Sequence, residues 1–244
     1  MRLCIPGTDE RSLLLKEQCK GKGYIVTEMN PDAVVLPLPK ARYSDLKRCF
    51  REGQIFICGM VDDGIKEEAE EKNWQMQNVL EDELFLFENA RLTAEGAVYR
   101  AMCARQGALC QKKCLVIGYG RIGKWLTRML RGMGCDVTVC ARKEASRKMA
   151  GENSVDVQQL NDVIGEMEMI FNTVPAMVMP EDVLEKVRKE AILMELASAP
   201  YGIDMAAAEK LGLNVQIEGG LAGRYCPGEA AKIWLEYIER SVGT

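Results

Sequence analysis

The stretch from Cys114 to Cys140 constrains the fold more than any other part of the chain. It reads as strand, glycine-rich turn, helix and strand: "CLVI" at Cys114–Ile117, Gly118-x-Gly120-x-x-Gly123, a helix over Arg121–Met133, and "DVTVC" at Asp136–Cys140. The helix places Ile122, Leu126, Met129, Leu130 and Met133 on one face, and Gly134 ends it. A glycine trio alone is a weak signal, but between a strand and a helix each glycine has a separate duty. Gly118 permits the tight turn, Gly120 lets a pyrophosphate approach the backbone, and Gly123 allows close helix–strand packing. Free amides and the dipole at the helix N-terminus then hold the anion. Tyr119, Arg121 and Ile122 belong to the same phosphate turn. The spacing predicts a dinucleotide-binding Rossmann unit; a Rossmann shell that has lost its ligand is the alternative.

The second strand ends in "CARK", so Ala141, Arg142 and Lys143 stand where a dinucleotide-binding protein usually places an acid. An acid there would bind the free adenosine ribose hydroxyls of NAD and repel a 2′-phosphate. Arginine and lysine do the reverse: one offers a planar fork to a phosphate, the other a point charge. Ser146 adds a hydroxyl. NADP(H) is therefore expected in preference to NAD(H), with two solvated surface cations as the alternative.

Short apolar strands alternate with amphipathic segments along the whole chain, which predicts an α/β protein with parallel sheets covered by helices. The 244 residues exceed one average domain. The first part offers "RLCI", "YIVTEM", "AVVLPL" and "QIFICGM" as strands, with "DERSLLLKEQC", "YSDLKRCF" and "IKEEAEEKN" as helices. Thr8 is the expected N-cap of the first helix and Gly21 its stop. We expect a small flavodoxin-like, substrate-side domain over residues 1–92. A junction helix capped by Thr93 opens a second doubly wound domain over residues 93–244, and the last helix, "GEAAKIWLEYIERSV", closes it.

Composition narrows the chemistry. A net charge of −4 gives no global attraction to nucleic acid or to an anionic membrane. No apolar run reaches the length of a membrane span, and the N-terminus lacks a signal peptide's apolar core, so a cytoplasmic location is expected. The ten cysteines form no CxxC pair and read as reduced core residues. There is no histidine, which removes histidine-ligated metal and histidine acid–base catalysis; no metal is expected.

Further motifs follow in the second half. "FNTVPAMVM" places Asn172, Thr173, Val174 and Pro175 at the end of a strand. "ELASAPYGID", "AAAEKLGLNV" and "GGLAGRYCPGEAAKI" run almost to the terminus, and "NARLTAEGAV" lies at the domain junction. Together with "GYGRIGK" and "CARK", these motifs resemble the family of the dipicolinate synthase A-type subunits, over roughly Pro31 to Ile238. The combination of LAS-x-P-x-G-x-D with a downstream GL-x-G-x-x-x-P is far more specific than the glycine loop. The resemblance implies a two-domain formate/glycerate-dehydrogenase-like fold with bound NADP(H). It also implies a role in making dipicolinate during endospore formation, together with a flavoprotein-like second subunit. The substrate it implies is a cyclic 4-hydroxy-tetrahydrodipicolinate, which loses water and two electrons.

Ligands of doubly wound sheets sit beyond the C-terminal ends of the strands. Nicotinamide is therefore expected near Asn172–Pro175, Ala197, Ser198 and Leu221. A dianionic substrate needs cations, for which Arg224 and Arg91 come first and Lys40 and Arg42 next, with Thr93 beside them. Each of these cations has a surface charge as its alternative. Dehydrogenases of similar fold take the alcohol proton with a histidine; here Glu95, Tyr225, Cys226 or Arg224 would have to assist. A homo-oligomer is expected. Two other functions remain open: another small-carboxylate dehydrogenase, and a non-catalytic NADP-binding sensor or scaffold.

Overall fold

The computed structural model describes residues 1–41 and 51–242, with the backbone alone at 38–41. The helix expected at "YSDLKRCF", Arg42 and the Lys40 side chain lie outside the described residues. The chain forms two compact units: Met1–Leu92 with Ala222–Thr244, and Thr93–Leu221.

The first unit contains a parallel sheet. Its strands are β1 (Arg2–Cys4), β2 (Ile25–Val26), β3 (Ala33–Ala41), β4 (Ile55–Val61) and β5 (Gln75–Asn78), in the order β2-β1-β3-β4-β5. Helix α1 (Glu10–Gly21) follows β1, and α2 (Asp63–Glu71) follows β4. The central strands are apolar because both faces are covered: Leu3, Cys4, Val34, Val35, Phe56 and Ile57 are fully buried. The N-cap of α1 is Asp9 rather than Thr8, because the Asp9 carboxylate accepts the Ser12 amide at 3.0 Å.

Helix α3 (Glu83–Arg105) starts ten residues before the expected Thr93, and the division between the units falls within it. Asp82 begins it by accepting the Phe85 amide at 2.6 Å.

The second unit has strands β6 (Lys113–Ile117), β7 (Asp136–Cys140), β8 (Ser154–Val155), β9 (Met169–Asn172), β10 (Ile192–Glu195) and β11 (Asn214–Ile217). The parallel sheet runs β11-β10-β9-β6-β7-β8, the doubly wound order of a dinucleotide-binding domain, with its reversal between β6 and β9. Helices α4 (Arg121–Gly132), α5 (Glu144–Ala150), α6 (Leu160–Val163), α7 (Glu181–Leu184) and α8 (Met205–Lys210) connect the strands. Every residue of β9 and β10 is buried.

Two helices end the chain: α9 (Leu221–Tyr225) and α10 (Pro227–Val242). The sequence reading assigned the last helix to the dinucleotide domain, and the structure corrects this. Helix α10 packs along α1, and its Ile233, Trp234, Leu235 and Ile238 share one core with Leu3, Leu15 and Val35. The Trp234 and Phe85 rings meet edge to face at 5.1 Å.

Among the described residues no helix is long and apolar enough to cross a membrane, and no group of acidic, cysteine or histidine side chains could hold a metal ion. The described cysteines form no disulfide. Burial pushes the Cys58 thiol up to about 11 and the Cys140 thiol up to about 12, which keeps both protonated at neutral pH.

Candidate dinucleotide-binding site

The glycine loop lies where the second sheet reverses. Gly118 follows β6 with φ +95°, a conformation strained for any side chain. A β-carbon on it would stand 2.3 Å from the Thr173 hydroxyl oxygen and 2.9 Å from a Val174 methyl. One on Gly123 would stand 2.2 Å from the Gly118 carbonyl oxygen. These two glycines bring the first turn of α4 against the ends of β6 and β9.

Gly120 differs from both. It is the N-cap of α4, and a β-carbon there would meet nothing within 4 Å. No side chain caps the helix, and no acid lies in its first turn. The N-terminal amides of α4 and the positive end of its dipole therefore lie beside a glycine around which the space is open. That is the shape and charge a pyrophosphate requires, so the residues present fit a dinucleotide.

The adenosine end is set by the turn after β7. Ala141 is buried, while Arg142 and Lys143 are exposed and, among the described residues, have no side-chain partner. The turn itself is held by Arg147, which donates to the carbonyls of Ala141 at 2.7 Å and Arg142 at 2.8 Å and pairs with Asp156. Arg147 thus fixes the backbone and leaves the other two cations available. Ser146 is half-buried on α5. Tyr119 lies beside the loop with its hydroxyl 3.4 Å from the Met149 carbonyl oxygen.

The end of β9 shapes the site from within. The Thr173 hydroxyl donates to the Ile117 carbonyl at 2.9 Å, tying β9 to β6 across the reversal. Asn172 is fully buried; its amide donates to the Val174 carbonyl at 3.0 Å and accepts the Val174 amide at 3.1 Å. Asn172 therefore shapes the loop rather than facing a ligand. Pro175 and Ser198 are exposed, and Val174 and Ala197 half-buried. Leu221 is buried against α3, where Gly96 allows the approach: a β-carbon on Gly96 would be 3.0 Å from the Leu221 β-carbon.

The sequence reading missed Glu195. This residue ends β10 and is fully buried. It accepts the Asn172 amide at 2.7 and 2.9 Å and the backbone amides of Ala197, Gly202 and Ile203 at 3.0–3.1 Å. Burial pushes its pKa up, opposed by these donors. One carboxylate thus joins the 172–176 loop to the 197–203 loop at the C-terminal edge of the sheet. Gly202 lies so close that a β-carbon would be 2.3 Å from the Asn172 amide nitrogen. The signal was present: a lone acid inside the apolar run "AILMELA" must have partners.

The expected substrate and acid–base residues are divided between the units. Thr93 and Glu95 belong to the second, and both are half-buried on α3. Arg91, in the first, pairs with Glu88 at 3.0 Å. Arg224 is exposed, donates to the Tyr225 hydroxyl at 3.0 Å and lies 5.0 Å from the centre of that ring.

Residues 86–207 match the family described as D-isomer specific 2-hydroxyacid dehydrogenase, NAD binding domain, which is half of the chain. The chain belongs to this family. Over 223 residues it is 25% identical to the A-type subunit of dipicolinate synthase from Bacillus subtilis (strain 168), covering 90% of this chain and 73% of the relative. Its fold is similar to that of the A-type dipicolinate synthase subunit from Bacillus halodurans, with a TM-score of 0.87 at 19% identity, covering 100% of this chain and 98% of the other. The solved Bacillus subtilis counterpart gives a TM-score of 0.84 at 18% identity, covering 99% and 95%. The family membership makes this an NAD(P)-dependent, 2-hydroxyacid-dehydrogenase-like oxidoreductase fold related to dipicolinate synthase. Its cofactor is a nicotinamide dinucleotide.

Proposed function

We propose that the protein is an NADP(H)-preferring oxidoreductase that converts a cyclic 4-hydroxy-tetrahydrodipicolinate-type substrate to dipicolinate. It works in the cytoplasm with a flavoprotein-like second subunit, in the service of sporulation. The observation that carries the reading is the uncapped N-terminus of α4, with open space above Gly120 at the reversal of the sheet. The likeness to the A-type dipicolinate synthase subunit supports the substrate class.

In this reaction the substrate loses water from its ring, then a hydride and a proton, and ends as an aromatic dicarboxylate. Bound nicotinamide supplies the hydride acceptor. The chain's own residues bind and orient: the α4 amides hold the pyrophosphate, and Arg142 and Lys143 hold the 2′-phosphate. Thr173 and Glu195 keep the ends of β9 and β10 in place. The gain of aromaticity favours the product, so the step needs less proton transfer from the protein than an alcohol oxidation does. That suits a chain without histidine.

Cofactor preference is tested by calorimetric titration with NADPH and NADH. NADPH binds more tightly to the wild type. Arg142→Ala loses about 1.5–3 kcal/mol of that advantage, the worth of a charge-assisted hydrogen bond. Equal affinities in the wild type would remove the basis for NADP(H).

A further inference from the structure

The first unit holds a cation where electrostatics disfavours one. Arg11 lies in the first turn of α1, at the positive end of the helix dipole, and is only 9% exposed. Its guanidinium takes the space a side chain would need at Gly223: a β-carbon there would be 3.1 Å from both Cζ and Nη1. Among the described residues it donates to Asp9 alone, from Nη2 to Oδ2 at 3.3 Å. That carboxylate is 42% exposed, and its other oxygen takes the Ser12 amide and hydroxyl. Arg11 Nε is buried with no hydrogen-bond partner among the described residues. Burial pulls the guanidinium pKa below its ordinary value, and the Asp9 charge does not offset that. A buried guanidinium with one long contact and an idle N–H is costly unless a further acceptor arrives.

Its place in the fold says where such an acceptor belongs. The strand order of the first, wholly parallel sheet reverses between β1 and β3, and ligands of doubly wound sheets bind at such a reversal, beyond the strand ends. The turn leaving β1 leads directly into Arg11. Gly7 in that turn packs so closely on α1 that a β-carbon would stand 2.1 Å from the Ser12 hydroxyl oxygen. Other features of the unit carry an anion less well. The cavity of ≈ 630 Å³ at the ends of β4 and β5 sets Glu70 and Glu81 against Lys66. Arg91 already pairs with Glu88.

We propose that Arg11 is the carboxylate anchor of the first unit, donating its guanidinium N–H groups to a carboxylate of the substrate. The proposal rests on the reading above that the substrate is a small carboxylate. It replaces Arg224 and Arg91 as the first-choice ligand.

The test titrates dipicolinate, pyridine-2-carboxylate, pyridine, malate and acetate into the NADPH-loaded protein by calorimetry. It compares wild type, Arg11→Lys and Arg11→Gln. NADPH affinity, assigned to the second unit, is measured first as the control for folding. Arg11→Gln lowers dipicolinate affinity by roughly tenfold or more and narrows the preference over pyridine, while NADPH affinity is unchanged. Arg11→Lys keeps the charge, loses the fork and binds more weakly than wild type. Where Arg11→Gln does not fold, Arg11→Lys decides: weakened carboxylate binding supports the anchor, and wild-type binding overturns it. A wild type that prefers malate or acetate, with that affinity lost in Arg11→Gln, keeps the anchor and discards the dipicolinate-type substrate. Wild-type carboxylate affinity in Arg11→Gln overturns the anchor, as does a wild type that binds none of these acids.

Discussion

At the scale of single residues, side chains that look alike in sequence separate by what surrounds them. Gly118, Gly120 and Gly123 were legible because their duties follow from spacing within a strand–turn–helix, and the structure gives each a distinct environment. Glu195 was not singled out, because one acid in a strand does not name its partners; these come from the 172–176 and 197–203 loops. Arg11 was illegible for a different reason. A cation in the first turn of a helix reads as a solvated charge until burial and an unused Nε are known. The Glu195 arrangement yields a stability prediction. Glu195→Ala strands one N–H of the Asn172 amide and three backbone N–H groups, each worth about 1–3 kcal/mol when buried without an acceptor. We expect a loss of at least about 3 kcal/mol in urea denaturation, with a smaller loss for Glu195→Gln, which keeps one carbonyl acceptor. A Glu195→Ala variant as stable as wild type would show that water replaces the carboxylate without cost.

At the scale of elements, strands were read more faithfully than helix partners. Runs such as "CLVI" and "AVVLPL" announce strands covered on both faces. The start of α3 was misplaced because "ELFLFENARL" reads equally as a continuing apolar strand and as a helix, and Asp82 was not recognised as its cap. The apolar face of α10 was visible, but an apolar face does not say which sheet it covers. That choice is testable. Trp234→Ala removes a side chain that is 4% exposed from the core shared with α1, at a cost of about 3–5 kcal/mol. Deuterium exchange should then rise in peptides covering residues 1–36 and 55–92. Peptides covering 113–117 and 169–195 should keep wild-type protection. Loss of protection in the second group instead would place α10 energetically with the dinucleotide unit.

At the scale of the whole molecule, the chain has a net charge of −4 and must bind anionic ligands locally. The N-terminus of α4, exposed Arg142 and Lys143, and buried Arg11 are the three places we propose for this, each with a different chemistry. The family and the nicotinamide cofactor were legible because phosphate recognition needs glycines at fixed positions. The substrate was less legible, because a carboxylate can be held by any well-placed cation. The central claim is that this chain transfers a hydride rather than merely holding a dinucleotide. Stopped-flow mixing of the NADP+-loaded protein with 4-hydroxy-tetrahydrodipicolinate generated in situ tests it most directly, with and without a flavoprotein-like second subunit. The predicted result is NADPH and dipicolinate appearing together in equal amounts. Tight NADP+ binding with neither product, whether or not the second subunit is present, would contradict the account and make the protein a dinucleotide-binding module.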